Sequence, residues 1–351
     1  MSVLPYKYMR LLLFLMIAVI ISTLLGLGVG AVSISPGQMW SVLWSTLSGG
    51  ELTGDLATRG VILTSLRLPR VLLAGLIGAS LAVSGSALQG VFRNPLADPG
   101  LIGVSSGAAL AVVVWIVLGV GGMVSPELGA WVSVLGVPLC AFMGALAATF
   151  IVLKLGMRGQ GNDVATLILA GVALNALAGA VIGLATYMAD EEELRSLTMW
   201  TLGSLGGVGW QEIILIAVCA VPGMMWLVRQ ASEFDLLLLG ESEAYHLGMD
   251  VRTFQRRVIV VAAIVVGVGV GFTGMIGFVG LIVPHILRLL GGATHRFVMP
   301  ASVLLGGSLL MFADMLARTL AAPAELPLGV ITALMGAPFF IYLLRSQVGV
   351  R

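Results

Sequence analysis

The sequence has 351 residues, of which 59% are hydrophobic and only 10% are charged. Soluble domains carry roughly one-quarter charged residues, and the mean hydropathy here is +1.08, so the composition excludes a soluble globular protein and predicts an all-α polytopic membrane protein. The net charge of +1, with no basic run, gives no indication of nucleic-acid binding.

Apolar segments follow one another along the chain, each long enough or nearly long enough to cross a bilayer core of about 30 Å. They are Met9–Val32, Leu68–Phe92, Ile102–Val120, Leu128–Leu153, Val164–Met188, Ile213–Val228, Val258–Phe278, Val298–Leu320 and Leu326–Leu344. Residues Met1–Ala31 resemble a signal peptide, but their apolar run is nearly of full span length and many spans follow. We therefore predict an uncleaved first helix.

The basic residues at the two ends of the chain set its topology. Lys7 and Arg10 place the N-terminus in the cytoplasm, and Arg345 and Arg351 place the C-terminus there too. Both ends inside require an even number of crossings, and the short segment Leu281–Gly291 is the only candidate for the tenth. The sequence thus predicts ten transmembrane helices in a single domain, residues 1–351.

This topology puts most of the 18 Lys and Arg residues inside the cell, as the positive-inside rule requires. The internal basic residues away from the termini are Arg93, Lys154, Arg158, Arg229, Arg252, Arg256, Arg257, Arg288 and Arg296. The outer basic residues are Arg59, Arg67, Arg70, Arg195 and Arg318.

A polar island, Ala231–Arg252, interrupts the apolar sequence on the predicted cytoplasmic side. Its apolar residues, which recur at helical spacing, are Phe234, Leu236 to Leu239, Ala244 and Leu247. Gly240 and Gly248 are natural helix ends, because glycine tolerates the left-handed conformation of a C-cap. The pattern predicts two short amphipathic helices that break at Gly240 and lie at the membrane surface. Pattern alone leaves open whether this pair has a function.

Two irregular, Gly- and Pro-containing segments occur where the chain should be at membrane depth. They are Gln89–Gly107, which contains Pro95 and Pro99, and Gly277–Arg288. Such backbone is tolerated only inside protein or along a water-filled cavity. Corresponding breaks in two halves suggest a transport pathway, and an ordinary re-entrant turn without substrate contact is the alternative.

Motifs of enzymes are absent from the sequence. A P-loop needs a Gly-x-x-x-x-Gly-Lys-Ser/Thr run, and the only lysines, Lys7 and Lys154, lie in no such run. The cysteines and histidines show no clustered metal-ligand spacing. We therefore predict no catalytic residue and no resident metal.

Asp314 is the main carboxylate inside a predicted span, and an intramembrane acid is a functional candidate by default. It lies one helical turn from Arg318, which favours a structural ion pair. The alternative from another class is a proton-coupled secondary transporter with Asp314 and Asp163 as relay groups. A purely structural membrane scaffold is disfavoured by the broken helices.

Several segments, in this order, resemble the iron-chelate/cobalamin permease family, the membrane subunits of type II ATP-binding-cassette importers. They are RLPR (67–70), QGVFRNPLADPGLIGVSSGA (89–108), LGESEAYHLG (239–248), GFVGLIVPHILR (277–288) and AELPLGVITALMGAPFFIYLL (324–344). The resemblance covers nearly the whole chain and implies the type II importer permease fold in the bacterial inner membrane. It also implies a second permease subunit that completes a homodimer, two cytoplasmic subunits that hydrolyse ATP with Mg, and a periplasmic binding protein. No cofactor would be bound permanently, and the permease itself would not be an enzyme.

The resemblance also implies roles for particular residues. The coupling helices, about residues 231–252, would contact the ATPase through Leu239, Gly240, Glu241, Ala244, Leu247 and Gly248. The outer arginines Arg67, Arg70 and Arg318 match docking sites for glutamates of the binding protein, with anchoring at lipid headgroups as the alternative. Asn94 and Leu96 match the turn that narrows the cytoplasmic mouth. Thr198 and Trp200 belong to a short helix, Thr198–Gly206, that would line the outer pathway.

The substrate implied by the resemblance is an iron-containing chelate. The segment Thr186–Trp210 is most similar to haem-importing members, which favours haem. Ferric-siderophore and cobalamin permeases share the same frame and are the alternatives.

Overall fold

The structure is a computed structural model that describes residues 6–50, 52–119, 129–156 and 164–348. The regular elements of these residues are helices: α1 (Tyr6–Gly28), α2 (Pro36–Ser48), α3 (Asp55–Val61), α4 (Leu68–Phe92), α5 (Val104–Val117), α6 (Gly129–Gly156), α7 (Val164–Met188), α8 (Glu191–Leu202), α9 (Trp210–Arg229), α10 (Ala231–Leu237), α11 (Glu241–His246), α12 (Val251–Thr273), α13 (Val279–Gly291), α14 (His295–Thr319) and α15 (Leu328–Val348). A π-helical segment, Ile62–Arg67, joins α3 to α4, and a 3₁₀ turn, Pro99–Ile102, precedes α5.

Each of the ten predicted crossings corresponds to one apolar helix of the described residues. Among the described residues, seven helices are long and apolar enough to cross a membrane, and the apolar stretches of α5, α13 and α15 (Leu328–Ile341) are shorter. The all-α fold is therefore confirmed. Some bounds differ from the prediction: α12 begins at Val251 rather than Val258. Hydropathy locates the part of a helix that matches the hydrocarbon, whereas the helical hydrogen bonds of α12 continue through its basic first turns.

Helix α4 is the centre of the molecule. In the most apolar 18-residue stretch of Asp55–Phe92, 83% of the residues are buried. This burial arises because α14, α12, α13 and α9 all pack against α4. Its backbone approaches that of α14 closely, since a Cβ on Gly78 would lie 2.1 Å from the carbonyl oxygen of Gly306. Only glycine permits this backbone contact, and such contacts replace the hydrophobic drive that is missing in lipid.

The two predicted breaks are real, and they lie against each other. After α4 ends at Phe92, Arg93 has a φ of 47°, and Pro95 keeps the chain from resuming the helix at Asn94. In the second break, Phe278 has a φ of 69° immediately before α13. The Gln89 side-chain Nε2 donates to the carbonyl oxygen of Gly280 at 3.0 Å, so the end of α4 is bonded to the start of α13.

The segment between α1 and α4 contains helical structure that the span analysis did not predict. Ser35 caps α2 through a capping box, in which its side chain accepts from the Gln38 backbone N–H and the Gln38 side chain accepts from the Ser35 backbone N–H. The sequence Ser-Pro-Gly-Gln carried this signal, since Ser-x-x-Gln marks a helix start. A search for full-length spans passes over such a short helix.

Candidate functional site

The polar island forms two short helices, as predicted. Helices α10 and α11 are separated at Gly240, whose φ is 122°, and α11 is followed by Gly248, whose φ is 92°. Of the residues expected to contact a partner, Leu239 and Leu247 are 62% and 63% exposed, whereas Ala244 is fully buried. Ala244 therefore holds the helix in place, and the leucines form the accessible part.

The accessible part of the island is an apolar surface, which we call the leucine face. It consists of exposed side chains outside the membrane-spanning helices: Leu238, Leu239, Tyr245 and Leu247. Exposed apolar side chains grouped on one short segment point to an interaction site. The leucine face can bury apolar area against a partner.

Asp235 fastens α10 to α14. The His295 backbone N–H donates to Asp235 Oδ1 at 2.6 Å, and the His295 ring Nδ1 lies 3.3 Å from the same oxygen. The first N–H groups of a helix have no partner within it, and the side chain of the N-cap residue Thr294 makes no capping bond. Asp235 thus supplies the cap from a different helix. The buried Phe234 ring stacks on His295 with centroids 5.3 Å apart.

Glu241 fastens α11 to the end of α4 and to α12. Its Oε1 accepts from Arg93 at 3.4 Å and from the Gln255 side-chain Nε2 at 3.3 Å. Arg93 directly precedes Asn94, so one ion pair connects the island to the pathway turn, residues 93–97. The sequence analysis placed Arg93 and Glu241 on the same side of the membrane but did not pair them.

Helix α12 leaves the island through its own cap. The Asp250 carboxylate accepts from the Thr253 backbone N–H at 3.1 Å. Hydrogen bonds from the Thr253 side chain and backbone lower the pKa of Asp250, which keeps this cap ionised.

The pathway turn is held by its own side chain. Asn94 Oδ1 accepts from the Leu96 backbone N–H at 2.9 Å, and the Ala97 backbone N–H bonds to the Asn94 carbonyl oxygen at 3.1 Å. This geometry fixes Leu96 with 57% of its surface exposed. On the single chain, the turn therefore presents an apolar side chain at the end of α4.

The predicted outer helix Thr198–Gly206 is displaced towards the N-terminus, because the helix that contains Thr198 and Trp200 is α8, Glu191–Leu202. It ends at Gly203, whose φ is 72°. Asp190 provides a capping box with Glu193 at its start, so the acidic residues 190–193 mark the beginning of a helix. Thr198 is exposed, and Trp200 is partly buried.

The three outer arginines lie together and line one cavity of about 540 Å³. Arg67 is only 6% exposed and donates to the carbonyl oxygens of Leu27, at 2.7 Å, Gly28, at 3.1 Å, and Val32. Its guanidinium is therefore used to close the loop after α1.

Arg70 and Arg318 share one buried carboxylate. Arg70 Nε lies 2.9 Å from Asp314 Oδ1, and Arg318 Nε lies 2.9 Å from Asp314 Oδ2. The predicted ion pair between Asp314 and Arg318 is confirmed, and Arg70 is the partner that the sequence did not reveal. Arg70 also bonds Glu325 at 2.9 Å, and the Glu325 side chain is 49% exposed. Asp163, the other expected relay acid, lies outside the described residues.

Comparison with known proteins agrees with this arrangement. The model of the FecCD transport family matches residues 16–346. The hemin transport system permease protein HmuU of Yersinia pestis is 43% identical over 339 residues, which cover 96% of each chain. The cobalamin import system permease protein BtuC of Halobacterium salinarum is 43% identical over 314 residues, covering 90% of this chain and 81% of the relative.

A solved structure has the same fold. It is described as a metal-chelate type ABC transporter in an inward-facing conformation, and it is 31% identical with a TM-score of 0.82, covering 96% of this chain and 99% of the other. With a family model that matches nearly the whole length and relatives that align from end to end, the chain belongs to the FecCD transport family.

Proposed function

We propose that the chain is the membrane-spanning permease subunit of an ATP-binding-cassette importer that moves haem from the periplasm to the cytoplasm. Two copies would form the pathway, two separate cytoplasmic subunits would hydrolyse ATP, and a periplasmic protein would deliver the substrate. Both termini would lie in the cytoplasm of a cell whose inner membrane holds the complex.

The observation that carries the proposal is the leucine face on an island that is tethered to the transmembrane body at two points. An apolar surface on a flexible loop could bind a partner but could not transmit force. Here Asp235 bonds the start of α14 at 2.6 Å and Glu241 pairs with Arg93 at 3.4 Å. A movement imposed on the leucine face by an ATP-binding subunit would therefore reach α14 and the pathway turn.

Haem as substrate is supported by the hemin permease of Yersinia pestis, which matches over 96% of each chain. It is also supported by the similarity of the segment Thr186–Trp210 to haem-importing members of the family. Ferric siderophores and cobalamin are the alternatives, since permeases for vitamin B12 from Salmonella are 40% identical over 341 residues. All three are large chelates, so the same ten-helix frame serves each.

The other roles complete this proposal. Asn94 and Leu96 from two facing subunits would close the cytoplasmic mouth of the pathway. Thr198 and Trp200 would line the outer part of the pathway. Arg70 is the outer arginine best placed to receive a carboxylate of the binding protein, because its second partner, Glu325, is half exposed and can be displaced. Arg318 shares the Asp314 carboxylate with Arg70, and Arg67 lines the same cavity.

A proton-coupled transporter receives less support. Both oxygens of Asp314 accept from arginines, and its side chain is 1% exposed. That carboxylate is the shared counter-charge of two guanidinium groups in a low-dielectric site. A relay acid would instead need an oxygen that no basic side chain occupies.

The test uses the permease reconstituted with its ATP-binding subunits and binding protein in proteoliposomes. We expect ATP-dependent accumulation of haem, and loss of ATPase association in the variant Leu239→Asp/Leu247→Asp. Gly248 is left unchanged because its φ of 92° makes any side chain there strained. Leu47→Asp, on the 85% exposed residue of α2, is the matched control.

The two parts of the proposal can fail separately. ATP-dependent uptake of cobalamin or a ferric siderophore, without haem uptake, would replace the substrate and leave the importer intact. Normal ATPase binding and uptake by the double variant would show that the leucine face is not the coupling surface.

A further inference from the structure

We propose that a groove between α6 and α12 binds the headgroup and one acyl chain of an anionic phospholipid. The groove encloses about 530 Å³ and is lined by Phe150, Leu153, Lys154, Arg252, Thr253, Arg256 and Val260. None of these lining residues is acidic. The inference is independent of the transported substrate and of the coupling surface.

The α12 wall changes from charged to apolar along its length. Arg252, Arg256 and Val260 follow at intervals of four residues and are all exposed, so they form one stripe on the helix. At 1.5 Å per residue, the stripe spans about 12 Å. Arg252 lies one residue inside the start of α12, and Val260 lies within its apolar span.

The α6 wall changes in the same direction. Lys154 lies in the last turn of α6, and Phe150, which is 60% exposed, lies one turn deeper. Because α6 ends on the side where α12 begins, the cations of both walls meet at one level and the apolar side chains meet below. A phospholipid has this polarity, with a phosphate at the interface and a hydrocarbon chain beneath it.

A second groove on the other side of α12 extends the site. It encloses about 590 Å³ and shares Thr253, Arg256 and Val260 with the first groove, while adding Trp226, Arg257 and Val261. Arg256 thus borders both grooves. Trp residues favour the interface level of a membrane, which agrees with the depth assigned to the cations.

The charge balance of the first groove favours an anionic headgroup over a zwitterionic one. Lys154 and Arg256 are exposed and form no ion pair with an acidic residue among those the structure describes. Basic side chains next to a membrane surface attract anionic lipid by roughly 1 kcal/mol each. Basic pockets between transmembrane helices are a known kind of lipid site.

The experiment is native mass spectrometry of the full-length permease in detergent, titrated with phosphatidylglycerol or phosphatidylcholine of equal chain length. We expect tighter binding of phosphatidylglycerol and a loss of about thirtyfold in Lys154→Gln/Arg256→Gln, from about fivefold per cation. The control Arg195→Gln/Arg229→Gln removes two exposed cations that line neither groove and should bind normally. Lys154→Arg/Arg256→Lys keeps both charges and should also bind, which separates lost charge from lost folding.

Three outcomes would overturn the inference. Equal binding of both lipids would remove the headgroup preference. Full competition by inorganic phosphate would show an anion site without a chain contact. Unchanged phosphatidylglycerol affinity, with loss of the ATP-binding subunit from the glutamine variant, would assign this face to a protein interface.

Discussion

The backbone N–H of His295 donates to the Asp235 carboxylate at 2.6 Å, so a residue of the polar island caps a transmembrane helix. The imidazole of the same histidine is buried and packs beneath Phe234. This pair bonds α10 directly to α14. Since α14 also packs closely against α4, the island is bonded to the central packing of the protein.

Replacement of Asp235 tests this connection. Asp235→Ala should lower stability by about 1 kcal/mol, as loss of a helix cap does, and should reduce haem uptake per ATP hydrolysed. Asp235→Asn keeps an oxygen for the His295 N–H and should retain most of both properties. Thermal unfolding in detergent and the ratio of uptake to ATP hydrolysis are the measurements. Equal behaviour of the two variants would remove the capping role.

The pair Arg93–Glu241 predicts a second link, between the island and the pathway turn. Its side chains are 49% and 28% exposed, so its contribution to stability should be small, about 0.5 kcal/mol. Arg93→Gln and Glu241→Gln should each reduce uptake per ATP. The exchanged variant Arg93→Glu/Glu241→Arg should recover part of the loss. If the exchanged variant is worse than both single variants combined, the pair is not the link.

The outer arginines should separate into two kinds. Arg67→Ala removes a donor from three carbonyl oxygens, of which Gly28 O keeps the Ile34 backbone N–H. It should mainly lower stability, because an unpaired buried acceptor costs about 1–3 kcal/mol. Arg70→Glu should mainly lower the affinity for the binding protein, and Glu325→Gln should raise that affinity by releasing Arg70. Surface plasmon resonance over a salt series measures both, since exposed charges are screened beyond about 8 Å at physiological ionic strength. If Arg70→Glu and Glu325→Gln both bind the binding protein with an unchanged, salt-independent affinity, the outer arginines have no docking role.

The pathway turn predicts a cross-link. In a variant with Cys140 and Cys219 replaced by alanine, Leu96→Cys should form a disulfide between two subunits in the resting transporter. The cross-link should stop haem uptake, and reduction should restore it. Leu47→Cys, on a more exposed residue, is the control for random collision. Uptake by the cross-linked transporter would mean that the turn is not a gate.

Asp314 distinguishes a structural acid from a proton relay. Asp314→Asn leaves the side chains of Arg70 and Arg318, which are 14% and 9% exposed, without their shared carboxylate. We expect a loss of about 3–5 kcal/mol, as when a buried ion pair is broken. Glu325→Gln, which removes only the exposed partner of Arg70, should unfold like the wild type. A stable Asp314→Asn protein that has lost pH-driven uptake would support the relay instead.

The sequence by itself determined the membrane-spanning helices. The span Val164–Met188 was predicted with the bounds that the structure shows, because a helix in lipid must be continuously apolar to satisfy its surroundings. The break at Asn94 and the division of the island at Gly240 were also predicted, because proline and glycine restrict or free the backbone locally. These signals are local in the sequence and do not depend on contacts with other parts of the chain.

Only the tertiary structure decided which polar side chains meet. Asp235 and His295 are 60 residues apart, Arg93 and Glu241 are 148 apart, and Arg70 and Asp314 are 244 apart. A charged residue near a helix end has the same local pattern whether it faces lipid headgroups, a partner protein or another helix. For Arg70 and Asp314, the close packing of α4 against α14 settles that choice, because at membrane depth a polar group must find its partner inside the protein.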